Sequence, residues 1–542
     1  MDKTKIVIIG LDGMSFDLVK KWLHKDTLPN FYRLSQEGIW GRLDSVIPYQ
    51  SITSWTSFMT GKNPAKHGHF NFLTFKPGTR EVMYLNNFTT IKGPTIWDFL
   101  NEADKKIGVM NVPCTYPVKE INGFMIPCWL TPPNEKNPTY PPSLAKELRK
   151  RFGDYLFEYR VAKFEHGLES FQKLLRGLYF TTEKRAESAI YLMKKYDYDL
   201  FMVVFTAVDS IQHFFWHFTD ETHPLYDPKK VEREGDIILK FYQKMDKIVG
   251  DFLAEVDPDN SYFFAISDHG FGPLVKQVNI NKILNQKGLL TLRKEYIFER
   301  SKVISVLEKL DVFNLRKRIS RNIRQKLFNW INNPPLDWSK TKAYCGGSCE
   351  LGVYINLKRR SPYGIVDEKE YEELRDIIAK DLLNLHDPEN GQRVIEQVIK
   401  KEDIYKGEYL FEMPDLLLVM AKGYEPVECY DLRDLFIFPV PLKRTGWHRL
   451  EGVVFARGKG IKKGGNIHSS IMDLAPTILY LLGVPIDKEM DGRIMDIFEE
   501  NFISSHPPEY VSNPNYIEKR IKRYKEREER VIMDRLKSLG YL

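Results

Sequence analysis

Six short apolar runs punctuate the chain: KIVIIG (5–10), IGVMNV (107–112), LFMVVFTAV (200–208), YFFAISD (262–268), DLLLVM (415–420) and GVVFAR (452–457). The first is rich in β-branched residues and apolar on both faces, and the others resemble it. This pattern predicts strands buried on both sides, as in a parallel sheet. Between them a helical period of apolar positions predicts helices over 168–195, 231–255, 367–386 and 470–482. Strands alternating with helices predict an α/β fold with a mostly parallel central sheet flanked by helices.

The stretch 285–345 breaks this rhythm. It contains NLRKRISRNIRQKLFNWI, a helix carrying Arg316, Lys317, Arg318, Arg321, Arg324 and Lys326, read here as an inserted helical or mixed cap. Its charges suit either a solvated face or a basic patch that meets an anionic substrate or membrane surface. The division that follows is a first core segment over 1–284, the basic insert over 285–345, a second core segment over 346–500, and a charged helical tail over 501–542. A chain of 542 residues is long enough for such a core with insertions.

Composition narrows the setting rather than the chemistry. A balance of 80 basic against 73 acidic residues permits anionic ligands without demanding a nucleic-acid polymer, and none is expected. Cys114, Cys128, Cys345, Cys349 and Cys429 form an odd set with one CxxxC pair, so reduced thiols are expected rather than a structural zinc site. No run of 18 apolar residues occurs, and the chain enters its first strand by residue 5. Both point to a cytoplasmic chain without a transmembrane segment. Oligomeric state is not legible.

Acids and histidines fall at the ends of the predicted strands. Asp12 follows the first strand in VIIGLDGM, Asp209 follows another in FMVVFTAVDSIQH, and Asp268 and His269 end a third in FFAISDHGFG. In open α/β sheets ligands gather beyond the carboxyl ends of strands, so these groups converge on one edge. Asp209 and His213 are four apart at a helix start, which places both on one face to grip one ion. Mixed oxygen and imidazole donors suit zinc, manganese or iron. Two such ions clamp a phosphoryl group.

The stretch YQSITSWTSFMTG (49–61) holds seven hydroxyl side chains and reads as a short helix stopped by Gly61. A helix N-terminus favours an anion, so a nucleophilic hydroxyl belongs at its start. Ser51 leads there, with Thr53 and Ser54 as competitors that serve equally as caps. Thr56, Ser57 and Thr60 lie inside the helix.

Together, IGLDGM (9–14), SITSWTSFMTGKNPAKHG (51–68), DSIQH (209–213), SDHG (267–270), GWHRLEGVVFARG (446–458) and IMDLAPTILYLLGVPIDKEMDG (471–492) resemble the alkaline phosphatase superfamily. The resemblance is to its type I phosphodiesterase/nucleotide pyrophosphatase-like branch, and it spans residues 5–492 in order. It implies two divalent cations, Zn²⁺ first, with Mn²⁺ or Fe²⁺ as alternatives. One would be held by Asp209, His213 and His448, the other by Asp12, Ser51, Asp268 and His269. The family's nucleophile lies nine residues before the Thr that ends the helix, and counting back from Thr60 lands on Ser51. His468 rivals His448 but precedes a helix, not the strand the family requires. His67 and His217 are read as structural. A phosphate-binding Asn of the family would fall at Phe72, so Asn71, one residue early, is the candidate substrate ligand.

The function implied is a metal-dependent phosphoric ester hydrolase, cleaving mono- or diesters of small phosphorylated substrates, nucleotides included, through a phosphoseryl intermediate on Ser51. A phosphomutase of the same superfamily is the first alternative, and a non-catalytic metal-binding protein the second. Sulfatase chemistry is disfavoured because Thr53 and Trp55 stand where a Pro and an Arg are needed. A haloacid-dehalogenase route through Asp12 lacks the second Asp, its place being taken by Met14.

Overall fold

A computed structural model describes residues 4–75, 82–153, 168–293, 336–346, 351–437, 444–512 and 521–539. Its centre is an eight-stranded sheet of β1 (Lys5–Leu11), β2 (Ile39–Asp44), β3 (Ile107–Met110), β4 (Gly123–Ile126), β5 (Leu200–Phe205), β6 (Ser261–Ile266), β7 (Glu451–Arg457) and β8 (Gly465–Ser470). The spatial order is β8-β2-β7-β6-β1-β5-β3-β4. All run parallel except β7, which pairs antiparallel with both β2 and β6.

β1, β5 and β6 lie side by side at the middle, and nearly every residue in them is buried. That is why their sequences are unbroken apolar runs rather than alternating ones. β2 does alternate, with Ile39, Gly41 and Leu43 turned inward, and so it lacks an apolar run to announce it.

The helices include α1 (Ser51–Thr60), α2 (Leu168–Lys195), α3 (Ala207–Phe215), α4 (Ile237–Leu253), α5 (Glu368–Leu383), α6 (Leu474–Leu481) and α7 (Glu526–Leu539), of which α5 packs on Ile395–Lys400 outside this sheet. The α2 bounds match the periodic stretch 168–195. The periodic stretch 231–255 is broken at Gly235, where Asp236 caps α4 by accepting from Leu239 N at 3.0 Å. α7 buries Ile532 and Leu536, and its approach stacks Tyr524 on Tyr116 at 5.6 Å. Among the described residues no helix is long and apolar enough to cross a membrane.

The run DLLLVM departs from expectation. Leu416–Met420 does not join the parallel sheet but lies in a separate antiparallel sheet with Ala343–Cys345, Gly352–Ile355 and Ile395–Lys400. Asp415, just before that strand, is buried and ion-paired to Arg360 and Lys401, which hold its carboxyl well below the usual range against the opposing effect of burial. A strand anchored in this way can be wholly apolar without belonging to the central sheet. Of the stretch 285–345, the described parts close it with a Leu292–Leu336 bridge and give Ala343–Cys345 to this second sheet. The basic helix NLRKRISRNIRQKLFNWI lies outside the described residues.

Candidate metal and nucleophile centre

β1 sits between β5 and β6 in parallel register, with Gly10 opposite both Val204 and Ile266. Asp12, two residues beyond Gly10, therefore arrives level with Asp268, two residues beyond Ile266. The turn after β5 leads directly into α3, which carries Asp209 and His213 on one face. His448 comes from far along the chain. Its strand, Gly446–Arg449, pairs antiparallel with Gly270–Val278 and sets His448 opposite Phe271. The His448 and His269 rings lie 4.0 Å apart, centroid to centroid.

Two donor sets result, both fully buried: Asp209, His213 and His448, and Asp12, Asp268 and His269. In the first, His448 Nε2 is 3.1 Å from both Asp209 Oδ1 and His213 Nε2. His213 Nδ1 stands 3.0 Å from the Gly446 carbonyl, which accepts its proton and leaves the Nε2 lone pair facing inward. In the second, His269 Nδ1 is fixed likewise by the Gly270 carbonyl at 3.1 Å, and its Nε2 lies 3.6 Å from Asp12 Oδ1 and 3.5 Å from Asp268 Oδ2. Asp268 Oδ1 accepts from Gly13 N at 3.1 Å, while Oδ2 is buried with no hydrogen-bond partner.

Converging lone pairs with an orphaned carboxylate oxygen are the donor chemistry of a cation site. The electrostatics agree. Burial, then Asp268 and Asp209, push the Asp12 carboxyl well above its ordinary range, and burial does the same to Asp268. Burial pushes His213 and His448 down, so both are neutral and able to ligate. Among the described residues no lysine or arginine pairs with Asp12 or Asp268. Bound cations would supply the missing positive charge.

Ser51 opens α1 against this second set. Its Oγ is 3.2 Å from Asp12 Oδ1 and 3.2 Å from His269 Nε2. The N-cap residue, Gln50, makes no side-chain cap bond to the first turn. The family model for type I phosphodiesterase / nucleotide pyrophosphatase matches residues 6–448, from the first core strand to His448. The chain belongs to the type I phosphodiesterase/nucleotide pyrophosphatase family. Members of this family are metal-dependent phosphoric ester hydrolases.

No curated protein matches this family member in direct sequence comparison. Among solved structures, an inactive variant of murine ectonucleotide pyrophosphatase/phosphodiesterase 5 in complex with AMP aligns at 13% identity over 89% of this chain and 95% of that one, with a TM-score of 0.48. The human counterpart aligns at 14% identity over the same shares, with a TM-score of 0.46.

The remaining hydroxyls of this phosphodiesterase-family helix are accounted for elsewhere or stay silent. Ser54 Oγ bonds Ser45 Oγ at 2.6 Å, Thr56 bonds Ile52 O and His69, Ser57 meets His67 Nε2 at 2.8 Å, and Thr60 bonds Thr56 O. Thr53 Oγ1 is buried without a partner. His468 is exposed on β8 and pairs with Asp44, away from the donor sets. His67 and His217 serve Ser57 and Thr445. Asn71 is buried, its side-chain oxygen accepting from Phe72 N and its backbone oxygen from Asn86 Nδ2.

Sequence reasoning missed the supports. Trp55 Nε1 donates to Asp12 Oδ2 at 3.1 Å, and its place four residues after Ser51 on one helix is the signal that could have found it. Gln212, inside DSIQH, donates to Gly13 O and accepts from Tyr242 OH, tying α3 to the turn that carries Asp12.

Proposed function

We propose that this chain hydrolyses phosphate esters of small molecules, with Ser51 as nucleophile and two divalent cations held by the two donor sets. The observation that carries the reading is Ser51 Oγ lying 3.2 Å from both Asp12 Oδ1 and His269 Nε2 at the start of α1. These two acceptors orient the hydroxyl and give its proton somewhere to go, so Oγ can attack phosphorus in line and form a phosphoseryl group. The first-turn N–H groups of α1 face the phosphoryl oxygens with the positive end of the helix dipole. Asp209, His213 and His448 border the side from which the alcohol departs and from which water later enters.

When bound, the cations neutralise the charge that develops on phosphorus-bound oxygens and favour ionisation of the attacking groups. Zn²⁺ suits the Asp/His donors best, with Mn²⁺ and Fe²⁺ next. Asn71 is kept as a phosphoryl-oxygen ligand on this reading, and Nδ2 is the atom it would present.

Metal-reconstituted protein assayed on p-nitrophenyl phosphate, bis-p-nitrophenyl phosphate and a p-nitrophenyl nucleotide ester tests the proposal. Alcohol release with water as acceptor is expected on at least one of the three. Phosphoryl transfer to a second alcohol without release to water would instead mark a mutase, and no turnover with full metal occupancy would mark a non-catalytic metal protein.

A further inference from the structure

Where Tyr49, Gln50, Leu351, Glu425, Pro426, Trp447 and His448 meet, a cavity of about 10 Å³ lies beside the centre. That is room for a single water molecule and for nothing larger. The cavity touches both halves of the centre, because Gln50 directly precedes Ser51 and His448 belongs to the other donor set. The His448 and His269 rings lie 4.0 Å apart, centroid to centroid, and His269 Nε2 lies 3.2 Å from Ser51 Oγ. One imidazole thus stands between the cavity wall and the nucleophile.

Most of this wall is apolar, made by Leu351, Pro426 and the buried rings of Tyr49 and Trp447. Trp447 lies flat against His448 at 4.9 Å and 11°, and the Arg444 guanidinium sits 4.6 Å from its ring. The wall is therefore held in place by its own contacts. Against it stands the Gln50 amide, only 8% exposed, whose oxygen is buried with no hydrogen-bond partner. The Gln50 backbone is pinned on both sides, its N–H donating to Pro48 O at 3.0 Å and its carbonyl accepting from Ser54 N at 2.9 Å. Buried amides are nearly always satisfied, and no organic group fits the space. The group that meets this oxygen is a water.

Resting on the phosphoester reading, we propose that this cavity seats the water that hydrolyses the phosphoseryl group, with Gln50 as the residue that orients it. The amide oxygen accepts one hydrogen of the water and leaves the water's lone pairs free for phosphorus. Attack comes from the side bordered by His448, across phosphorus from Ser51. The water oxygen bonds phosphorus as the Ser51 Oγ–P bond breaks. One of the water's protons ends on Oγ, and the other leaves with the phosphoryl product. Gln50 has no part in the first half of the reaction, because no water takes part in the attack by Ser51.

The test gives metal-reconstituted wild type, Gln50→Met and Gln50→Leu, matched in metal content, the p-nitrophenyl ester that wild type cleaves best, with glycerol added as a competing acceptor. First-turnover release of p-nitrophenol is expected to stay within about threefold of wild type. Phosphorylated Ser51 is expected to accumulate in both variants, and the ratio of transfer to water over transfer to glycerol to fall at least tenfold. A ratio unchanged within twofold in both variants overturns the role of Gln50. Crystals of metal-reconstituted wild type give a reading that needs no turnover: an ordered water is expected within about 3.2 Å of Gln50 Oε1. A dry cavity overturns the assignment. Wild type that cleaves none of the esters sinks the hydrolase reading and the water's catalytic role with it, which sets that failure apart from a failure of Gln50 alone.

Discussion

Asp268 places one oxygen on a backbone N–H and leaves the other, buried, facing His269. If that oxygen is a cation ligand, Asp268→Asn keeps the shape and removes the charge that holds the ion. Metal content by elemental analysis is expected to fall from two equivalents per chain toward one. Affinity at that set should drop by more than the ~10–100-fold that loss of a ligand's supporting partner costs. His269→Ala is expected to do the same.

His217 offers a separate residue-scale prediction, since it touches Thr445 rather than either donor set. Burial pushes its pKa down to about 4, with His223 and Lys230 adding to the effect. Between that value and the unfolded value of about 6.5, the unfolded chain binds a proton that the folded chain does not. Its contribution to stability is thus present above pH 6.5 and lost as pH falls toward 4. Denaturant melts at pH 7 and pH 4.5 should show wild type losing on the order of 1–3 kcal/mol more than His217→Asn over that interval.

At the scale of elements, β1 and α1 are locked together through a missing side chain. A Cβ at Gly10 would stand 2.7 Å from Val204 Cγ2 and 2.8 Å from Trp55 Cη2, the indole whose N–H holds Asp12. Gly10→Ala is expected to destabilise by about 1–3 kcal/mol through overpacking, measured by chemical denaturation, and to weaken metal binding because Trp55 must move. Gly61 closes the same helix with φ at 64°, the left-handed conformation that stops a helix cleanly.

The central strands and the periodic helices were legible because burial on two faces, or on one helical stripe, writes itself as an apolar pattern. β2, β4 and β8 were not. β2 alternates under one-sided burial, β4 has four residues, and β8 is a largely exposed edge strand around His468. The misplaced strand Leu416–Met420 shows the converse, since its apolar run reports burial but not which sheet supplies it.

For the whole molecule, the candidate centre was more legible than the fold around it. Asp12, Asp209, Asp268 and His269 sit at the ends of strands that the sequence marks plainly, and parallel pairing of β5, β1 and β6 brings those ends together. His448 depends on an antiparallel partner more than 170 residues away, a pairing no local pattern announces. Resemblance to a family, not periodicity, singled it out from His468. Trp55 and Gln212 were illegible because their roles depend on neighbours that only folding supplies.

The central claim is that Ser51 attacks phosphorus at a centre assembled from two cation-binding sets. Turnover of bis-p-nitrophenyl phosphate by Ser51→Ala, at metal content matched to wild type, tests it most directly. The account predicts a fall in kcat of at least about 10³-fold with two metal equivalents retained, as expected for loss of a nucleophile. Hydrolysis by Ser51→Ala at near wild-type rate would contradict it.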